Sequence, residues 1–507
     1  MTKDQERAEL HKSIWQIANQ LRGSIDGWDF KQYVLGMLFY RFISENLTKY
    51  INENEPDKSF DYAKLSDKEA EFGRHDTVKE KFYILPSELF VNVVKNAKND
   101  PNLNETLSKV FKNIESSANG ADSEDDIKGL FDDFNVNSNK LGGTVEQRNK
   151  KLSELLESIN LKLGNYADNT IDAFGDAYEY LMAMYASNAG KSEYYTPQEV
   201  SELLAEITTV GKTSVNKVYD PACGSGSLLL KFAKVLGKEN VRQFFGQEIN
   251  LTTYNLCRIN MFLHDVNYEK FDIAHGDTLM NPKHWDEEPF DAIVSNPPYS
   301  IQWEDANPIL INDPRFSPAV LAPKSKADLA FVMHMLSWLA TSGTAAIVEF
   351  PVLYRGAEAK IRKYLVDNNY IDTVIQLPPD LFFGTTIGTC IIVLKKSKKD
   401  NKTLFIDASA EFVRGSAKNT LSEENRKKIL NAHITREDVE YFAKLVDNST
   451  VANNDYNIAV SSYVEQKDTR EIIDIKELNK KISDIVQRQS ELRSSIDAIV
   501  KEIEGNE

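Results

Sequence analysis

Only three cysteines occur in 507 residues, Cys223, Cys257 and Cys390, with no CxxC pair and no cluster among the seven histidines. A disulfide framework and a zinc site are therefore not expected. No apolar run reaches the roughly 20 residues that a membrane helix needs, and the opening MTKDQERAELHKS lacks a signal-peptide core. The expected location is cytoplasmic, with no membrane partner. Positive charge is also in deficit, since 60 Lys and Arg against 77 Asp and Glu leave a net charge of -17. Basic side chains on phosphates supply most nonspecific affinity for nucleic acid. Either the substrate is not nucleic acid, or another subunit supplies the basic surface. GKTS at Gly211 and GKSE at Gly190 lack the upstream glycine of a P-loop, those positions being Glu206 and Tyr185, so that reading is rejected.

The remaining composition, 41% hydrophobic and 27% charged, is ordinary for a globular protein. The length exceeds what one core fills, so two or three domains are expected. The chain is organised around residues 218 to 299, which open with VYDPACGSGSLLL and close with FDAIVSNPPYS. The first segment reads as a short strand, Lys217 to Tyr219, running through Asp220 into a turn at Gly224, Ser225 and Gly226 and then a helix from about Ser227. Backbone can approach a ligand there because no side chain blocks it. Cys223 lies inside this turn, where a small residue serves packing. The second segment reads as a buried strand, Phe290 to Val294, ending in Asn296-Pro297-Pro298-Tyr299. Two prolines stiffen that end and present Asn296 and Tyr299 at the carboxyl edge of a strand, where open α/β sheets bind ligands.

Residues 1 to about 165 read as mainly helical, with a break at Gly23 to Gly27 and a cap candidate at Asp26. Ser117 to Asn139 is polar and acidic and reads as a solvated loop with one short helix; a further helix starts at about Thr144. A helix from about Asp176 to Ala186 is followed by a loop, Asn188 to Tyr195, with Thr196 as the natural cap of the next helix and Pro197 in its first turn. VRQFFGQEI is a buried strand with Glu248 near its end, placed to accept hydrogen bonds from both hydroxyls of a ribose. The β-α alternation continues through FDIAHGDTL, ADLAFVMHMLSWL, TAAIVEFP, AEAKIRKYLVDN, IDTVIQLPP and GTCIIVLKK, which predicts a seven-stranded, mostly parallel sheet. Between them, Ser300 to Lys326 is a polar loop long enough to close over a substrate.

The order EYYTPQ, DPACGSGS, NPPY, together with LRG at Leu21 to Gly23 and YVLGMLFYRFIS at Tyr33 to Ser44, resembles the modification subunits of type I restriction-modification systems. The resemblance covers most of the chain. It implies an S-adenosylmethionine-dependent methyltransferase core, Rossmann-like and with its last strand antiparallel, that methylates the N6 amine of a flipped adenine in double-stranded DNA. It implies Asn296, Pro297, Pro298 and Tyr299 as the catalytic loop, with Tyr299 stacked on the base, and Asp277 beside the adenine of the cofactor. Glu193, Tyr194, Tyr195, Thr196, Pro197 and Gln198, the turn residues Asp220, Gly224, Ser225, Gly226 and Ser227, and Glu248 complete the implied cofactor site; no metal is implied. The turn reads GSGS where many relatives have GTGG or GTAG, and small residues are retained. The implied domains are 1–165, helical; 166–465, methyltransferase; and 466–507, a coiled-coil helix. The implied partners are a DNA specificity subunit, a second modification subunit and a restriction/translocase subunit.

That last helix is also legible by itself. Ile475, Leu478, Ile482, Ile485, Gln489, Leu492, Ile496, Ile499 and Ile503 alternate spacings of three and four, a coiled-coil seam with one polar position that can fix register. Rival readings are N4-cytosine methylation, methylation of protein glutamine or RNA guanine by shorter enzymes with the same loop, and a scaffold that binds the cofactor without turnover. Cytosine C5 methylation is excluded, because it needs a Pro-Cys nucleophile and the dipeptide is absent.

Overall fold

The computed structural model describes residues 3–21, 29–78, 82–121, 123–163, 173–188, 196–303, 308–350, 353–382, 385–415, 418–466 and 475–505. The chain forms two compact units, Met1–Val464 and Glu465–Glu507. The main strands of the larger unit are β1 (Val215–Asp220), β2 (Val241–Glu248), β3 (Phe271–His275), β4 (Phe290–Ser295), β5 (Leu339–Glu349), β6 (Ile371–Gln376), β7 (Cys390–Lys395), β8 (Lys402–Asp407) and β9 (Ala443–Asp447). They form one sheet in the order β9-β8-β6-β7-β5-β4-β1-β2-β3. β3, β2, β1, β4 and β5 run parallel, and β7 lies antiparallel between β5 and β6. The expected methyltransferase sheet is therefore present.

Two strands extend it beyond the expected seven. β8 pairs parallel with β6, and β9 antiparallel with β8. Leu404, Phe405 and Ile406 of β8 are fully buried, so this segment removes β6 from the sheet edge, where unpaired backbone is a liability. Strands buried on both faces read as nearly continuous apolar runs, as in CIIVLK of β7. Adjacent residues feed opposite layers: Val218 belongs to the core under one face and Tyr219 to the core under the other.

The main helices are α1 (Lys3–Leu21), α2 (Asp29–Asn54), α3 (Leu103–Ser117), α4 (Val145–Lys162), α5 (Ala173–Asn188), α6 (Gln198–Thr208), α7 (Ser227–Leu236), α8 (Leu251–Leu263), α9 (Asp328–Trp338), α10 (Ala359–Asp367), α11 (Glu423–Thr435) and α12 (Ile475–Glu504). α6, α7 and α11 cover one face of the sheet, α9 and α10 the other. α1 to α5 share a third core, which Leu256, Ile259 and Leu263 of α8 enter. The helical part is thus joined to the sheet through the helix that follows β2. Thr144 caps α4 with a capping box to Gln147, as expected. Asp26 and Gly23 to Gly27 lie outside the described residues.

The stretch from Ser117 to Asn139 departs from the expected solvated loop. Ile127, Leu130, Phe131, Phe134 and Val136 are buried, and Phe131 stacks on Phe111 at 4.4 Å. Its carbonyls receive Arg258 of α8, which is 2% exposed: Nη1 donates to Asp125 O at 2.8 Å and to Lys128 O at 3.1 Å. Asp133 accepts from Thr252 Oγ1 at 2.9 Å and from Asn255 Nδ2 at 3.1 Å. Acidic residues between the apolar ones masked a segment whose backbone polar groups are satisfied by a buried guanidinium.

α12 is one continuous helix of 30 residues, and the apolar seam from Ile475 to Ile503 is solvent-exposed along its length. Among the described residues, no helix is long and apolar enough to cross a membrane.

Candidate active site

The strand order reverses between β1 and β4, which pair in parallel with Tyr219 opposite Ile293. Such a switch point opens a crevice at the carboxyl ends of the strands. Asp220 ends β1 and ties both sides of it together. Its Oδ1 accepts from Ala222 N in the turn and from Ser295 Oγ at the end of β4, each at 3.0 Å. The turn then needs glycine: Gly224 and Gly226 have φ of +54° and +79°. A Cβ on Gly226 would stand 2.7 Å from Cys257 Sγ, whereas Gly224 faces open space. Asn260 Nδ2 pins the turn from α8 by donating to Ser225 O at 2.8 Å. Cys223 is buried, in keeping with a packing role, and no group of His, Cys, Asp or Glu among the described residues could hold a metal.

A cavity of about 480 Å³ opens above this turn, within the range of small-molecule sites. Of the expected residues it brings together Thr196, Gly224, Ser225, Ser227, Glu248, Asp277, Asn296 and Pro298. Glu248 is held by the turn itself, Oε2 accepting from Gly224 N at 3.0 Å and Oε1 from Asn250 N at 2.8 Å. Asp277 Oδ1 accepts from Leu279 N at 2.9 Å and fixes the turn after β3. Asp220, Gly226, Pro197, Gln198, Pro297 and Tyr299 are not among the residues that line it. Glu193, Tyr194 and Tyr195 lie outside the described residues.

The segment ahead of α6 differs from its expected form. Pro197 is itself the N-cap residue and α6 begins at Gln198, with no side-chain cap. The Thr196 hydroxyl is used elsewhere, as acceptor of Asn296 Nδ2 at 2.9 Å. Asn296 Oδ1 accepts from Tyr299 OH at 2.5 Å, and the Tyr299 ring packs on Phe350 with centroids 5.1 Å apart. Ser300, at φ +52°, closes the loop by donating its N–H to Asp328 Oδ1 at 3.0 Å.

Sequence reasoning missed Glu179 of α5. Its carboxylate accepts from Ser227 Oγ at 3.0 Å and from Gln198 Nε2, so it joins the first residues of α6 and α7. The signal was a charged residue inside the apolar helix AFGDAYEYLMAMYASN, which needs a partner. Also missed was how firmly the segment after the loop is seated. Trp303, 7% exposed, lines the cavity and bonds through Nε1 to Pro323 O at 3.1 Å. Arg315, 1% exposed, donates to Thr278 O at 2.9 Å and Leu279 O at 2.7 Å, while Asp313 balances its charge at 2.7 Å. His334 joins Arg315 to Tyr219 OH at 3.0 Å. Trp303 and Arg315 thus anchor the described parts of Ser300 to Lys326 at two points, while Ile301, Gln302 and Trp303 line the cavity.

Burial pushes the Asp220 carboxyl up to about 7, with Glu248 adding to the rise and the Ala222 and Ser295 bonds opposing it. The neutral form is thus favoured in the fold. Since the folded value exceeds the unfolded one, the fold is penalised as pH rises from about 4 to about 7, by roughly 1.4 kcal/mol per pH unit, and evenly above that. Asp220→Asn keeps an acceptor but cannot ionise. Thermal melts of both proteins should diverge in the variant's favour between pH 5 and pH 7 and run parallel above; a constant offset across that window would contradict the shift.

A glycine turn on the first strand, an acid ending the second and NPPY ending the fourth, around a crevice of nucleoside size, define a methyltransferase of the S-adenosylmethionine-dependent class acting on an amino group. Residues 169–472 match the N-6 DNA Methylase family and residues 10–159 the HsdM N-terminal domain. The methylase subunit of the type I restriction enzyme MpnII of Mycoplasma pneumoniae is 49% identical, over 99% of this chain and 97% of its own length. The MjaVII methylase subunit of Methanocaldococcus jannaschii is 30% identical, over 99% and 85%. The crystal structure of the type I restriction-modification methyltransferase subunit from Streptococcus thermophilus, 36% identical, superposes with a TM-score of 0.83 over 90% of this chain and all of that one. The chain belongs to the methylase subunits of type I restriction enzymes. It is a DNA methyltransferase specific for adenine N6 that uses S-adenosylmethionine.

Proposed function

We propose that methyl transfer takes place at the mouth of the crevice between β1 and β4, with Asn296 as the group that activates the target amine. The observation that carries this is the placement of the Asn296 amide on the cavity wall, between the Thr196 and Tyr299 hydroxyls. The residues around the cavity suit the cofactor: two fixed carboxylates, Glu248 and Asp277, for ribose and purine, apolar Leu256 and Leu279, and the open turn at Gly224. Pro197 and Gln198, with Glu193, Tyr194, Tyr195 and Thr196, complete the proposed cofactor segment. When bound, S-adenosylmethionine supplies a methyl group on a sulfonium, which is lost to a nucleophile in line with the S–C bond.

The exocyclic amine of adenine is a weak nucleophile because its lone pair is delocalised into the ring. Asn296 Oδ1 and the Pro297 carbonyl accept its two hydrogens and draw density back onto nitrogen. One N–C bond forms as the S–C bond breaks with its electron pair left on sulfur, so that a neutral thioether departs, and the methylated amine releases one proton to solvent. The chain acts by positioning and electrostatics. Pro297 and Pro298 hold the acceptors in place. Tyr299 releases Asn296 Oδ1 as the flipped base enters and offers it a stacking face.

The chain is divided as 1–165, helical, 166–465, catalytic, and 466–507, subunit-joining. The exposed seam of α12 from Ile475 to Ile503, with Gln489 setting register, docks on helices of a DNA specificity subunit. That partner supplies the basic surface this acidic chain lacks, and a second copy of the chain and a restriction/translocase subunit join it in the cytoplasm. The test is transfer of labelled methyl to unmodified double-stranded DNA by the purified complex, followed by nucleoside analysis. Label is expected in N6-methyladenine; label in N4-methylcytosine or in protein would overturn the assignment of substrate.

A further inference from the structure

We propose that Thr196 is a positioning residue for methyl transfer: its hydroxyl holds the Asn296 amide in the plane that faces the target amine. The inference rests on the catalytic reading of Asn296 given above. Thr196 stands where a helix cap belongs, yet its side chain makes no cap, since Pro197 takes that position. Its hydroxyl is instead 2.9 Å from Asn296 Nδ2, across 100 residues of sequence, and the residue is 6% exposed.

An asparagine amide turns about one soft torsion, and its two ends have opposite hydrogen-bonding character. Here both ends are held, Oδ1 by Tyr299 OH and Nδ2 by Thr196 Oγ1. When the amine of the base takes Oδ1, the Tyr299 bond is given up. The bond to Thr196 then keeps the amide from rotating and presenting its own N–H groups to the amine, which would repel it. Thr196 also lines the cavity, as do Ser225 and Ser227 of the glycine turn. A single hydroxyl thus borders the cofactor space while holding the catalytic side chain, so the two sites are fixed in register.

The experiment uses the complex with its specificity partner, unmodified target DNA, and Thr196→Val, Thr196→Ser and Thr196→Ala variants. Valine keeps the volume and loses the acceptor; serine keeps the acceptor. At saturating S-adenosylmethionine, Thr196→Val and Thr196→Ala should turn over about 10- to 100-fold more slowly, the loss of one buried hydrogen bond at the reacting group. Because Thr196 also borders the cofactor space, cofactor affinity is measured for each variant, and the turnover defect should persist at S-adenosylmethionine far above that affinity; Thr196→Ser should recover turnover to within about threefold of wild type. Wild-type turnover in both Thr196→Val and Thr196→Ala would overturn the proposal. So would a defect that excess cofactor cures, since Thr196 would then serve only the cofactor, or a failure of serine to rescue. Alanine decides the matter if the valine chain does not fold. A wild-type complex that binds cofactor but makes no N6-methyladenine would overturn the catalytic reading and this inference with it.

Discussion

Asn296→Ala is expected to lower methyl transfer about 100- to 1,000-fold, as loss of a preorganised polar group at a reacting centre does, while cofactor affinity stays within about threefold. The side chain stands at the end of β4, 9% exposed, on the wall of the 480 Å³ cavity. Alanine removes the acceptor for the amine and leaves the Thr196 and Tyr299 hydroxyls without that partner. The loop itself is anchored on both sides, by Ser295 Oγ on Asp220 and by Ser300 N on Asp328. Stability should therefore fall by only about 1–2 kcal/mol, the range for lost hydrogen bonds. Single-turnover transfer, cofactor titration and thermal melting on one preparation check all three. Retained transfer would show that the amine is activated elsewhere, and lost cofactor binding would place Asn296 in the cofactor site.

The second large effect is expected at the glycine turn. Gly226→Ala meets two independent obstacles. Its backbone has φ of +79°, which side chains other than glycine rarely adopt, and the new Cβ would come 2.7 Å from Cys257 Sγ and 3.2 Å from Met261 Cε. Both contacts belong to α8, which is fixed by Arg258 to the 125–128 carbonyls and cannot easily retreat. The turn must move instead, taking Gly224 N away from Glu248. Cofactor affinity should drop tenfold or more, about 1.4 kcal/mol, and the fold should lose about 1–3 kcal/mol. Adding Cys257→Ala relieves the clash but not the dihedral strain, so the double variant should recover part of the affinity. Calorimetric binding to the two variants measures this, and an unchanged affinity in Gly226→Ala would show that the turn does not cradle the ligand.

The parts of the site that were legible in the sequence are those whose residue types are dictated locally. Gly224 and Gly226 are required by positive φ, the NPP end of β4 by strand termination, and Glu248 by its place at a strand end beside the turn. The alternation of strands and helices also set the parallel sheet. What escaped is what depends on distant partners. Thr196 reads as a cap because the cap pattern is local, whereas Asn296 lies 100 residues away. Phe131 and Phe134 read as members of an acidic loop because their burial depends on α3 and on Arg258 of α8. β8 and β9 lacked the glycine or proline punctuation that marked the catalytic strands, and their place in the sheet depends on pairing with β6 and with each other. Arg315 reads as a surface residue of a polar loop until Asp313 and two carbonyls of the neighbouring turn are seen to surround it.

The central claim is that the Asn296 amide, freed from Tyr299, receives the amine of the target base beside the bound cofactor. The most direct test is a structure of the complex with a non-reactive cofactor analogue and its target DNA. The account predicts the analogue in the crevice above Gly224, the extrahelical base at the NPPY loop, and Asn296 Oδ1 within about 3 Å of its N6, with the Tyr299 to Asn296 bond broken. A target base seated elsewhere, or seated at the loop with that bond intact and N6 out of reach of Asn296, would contradict it.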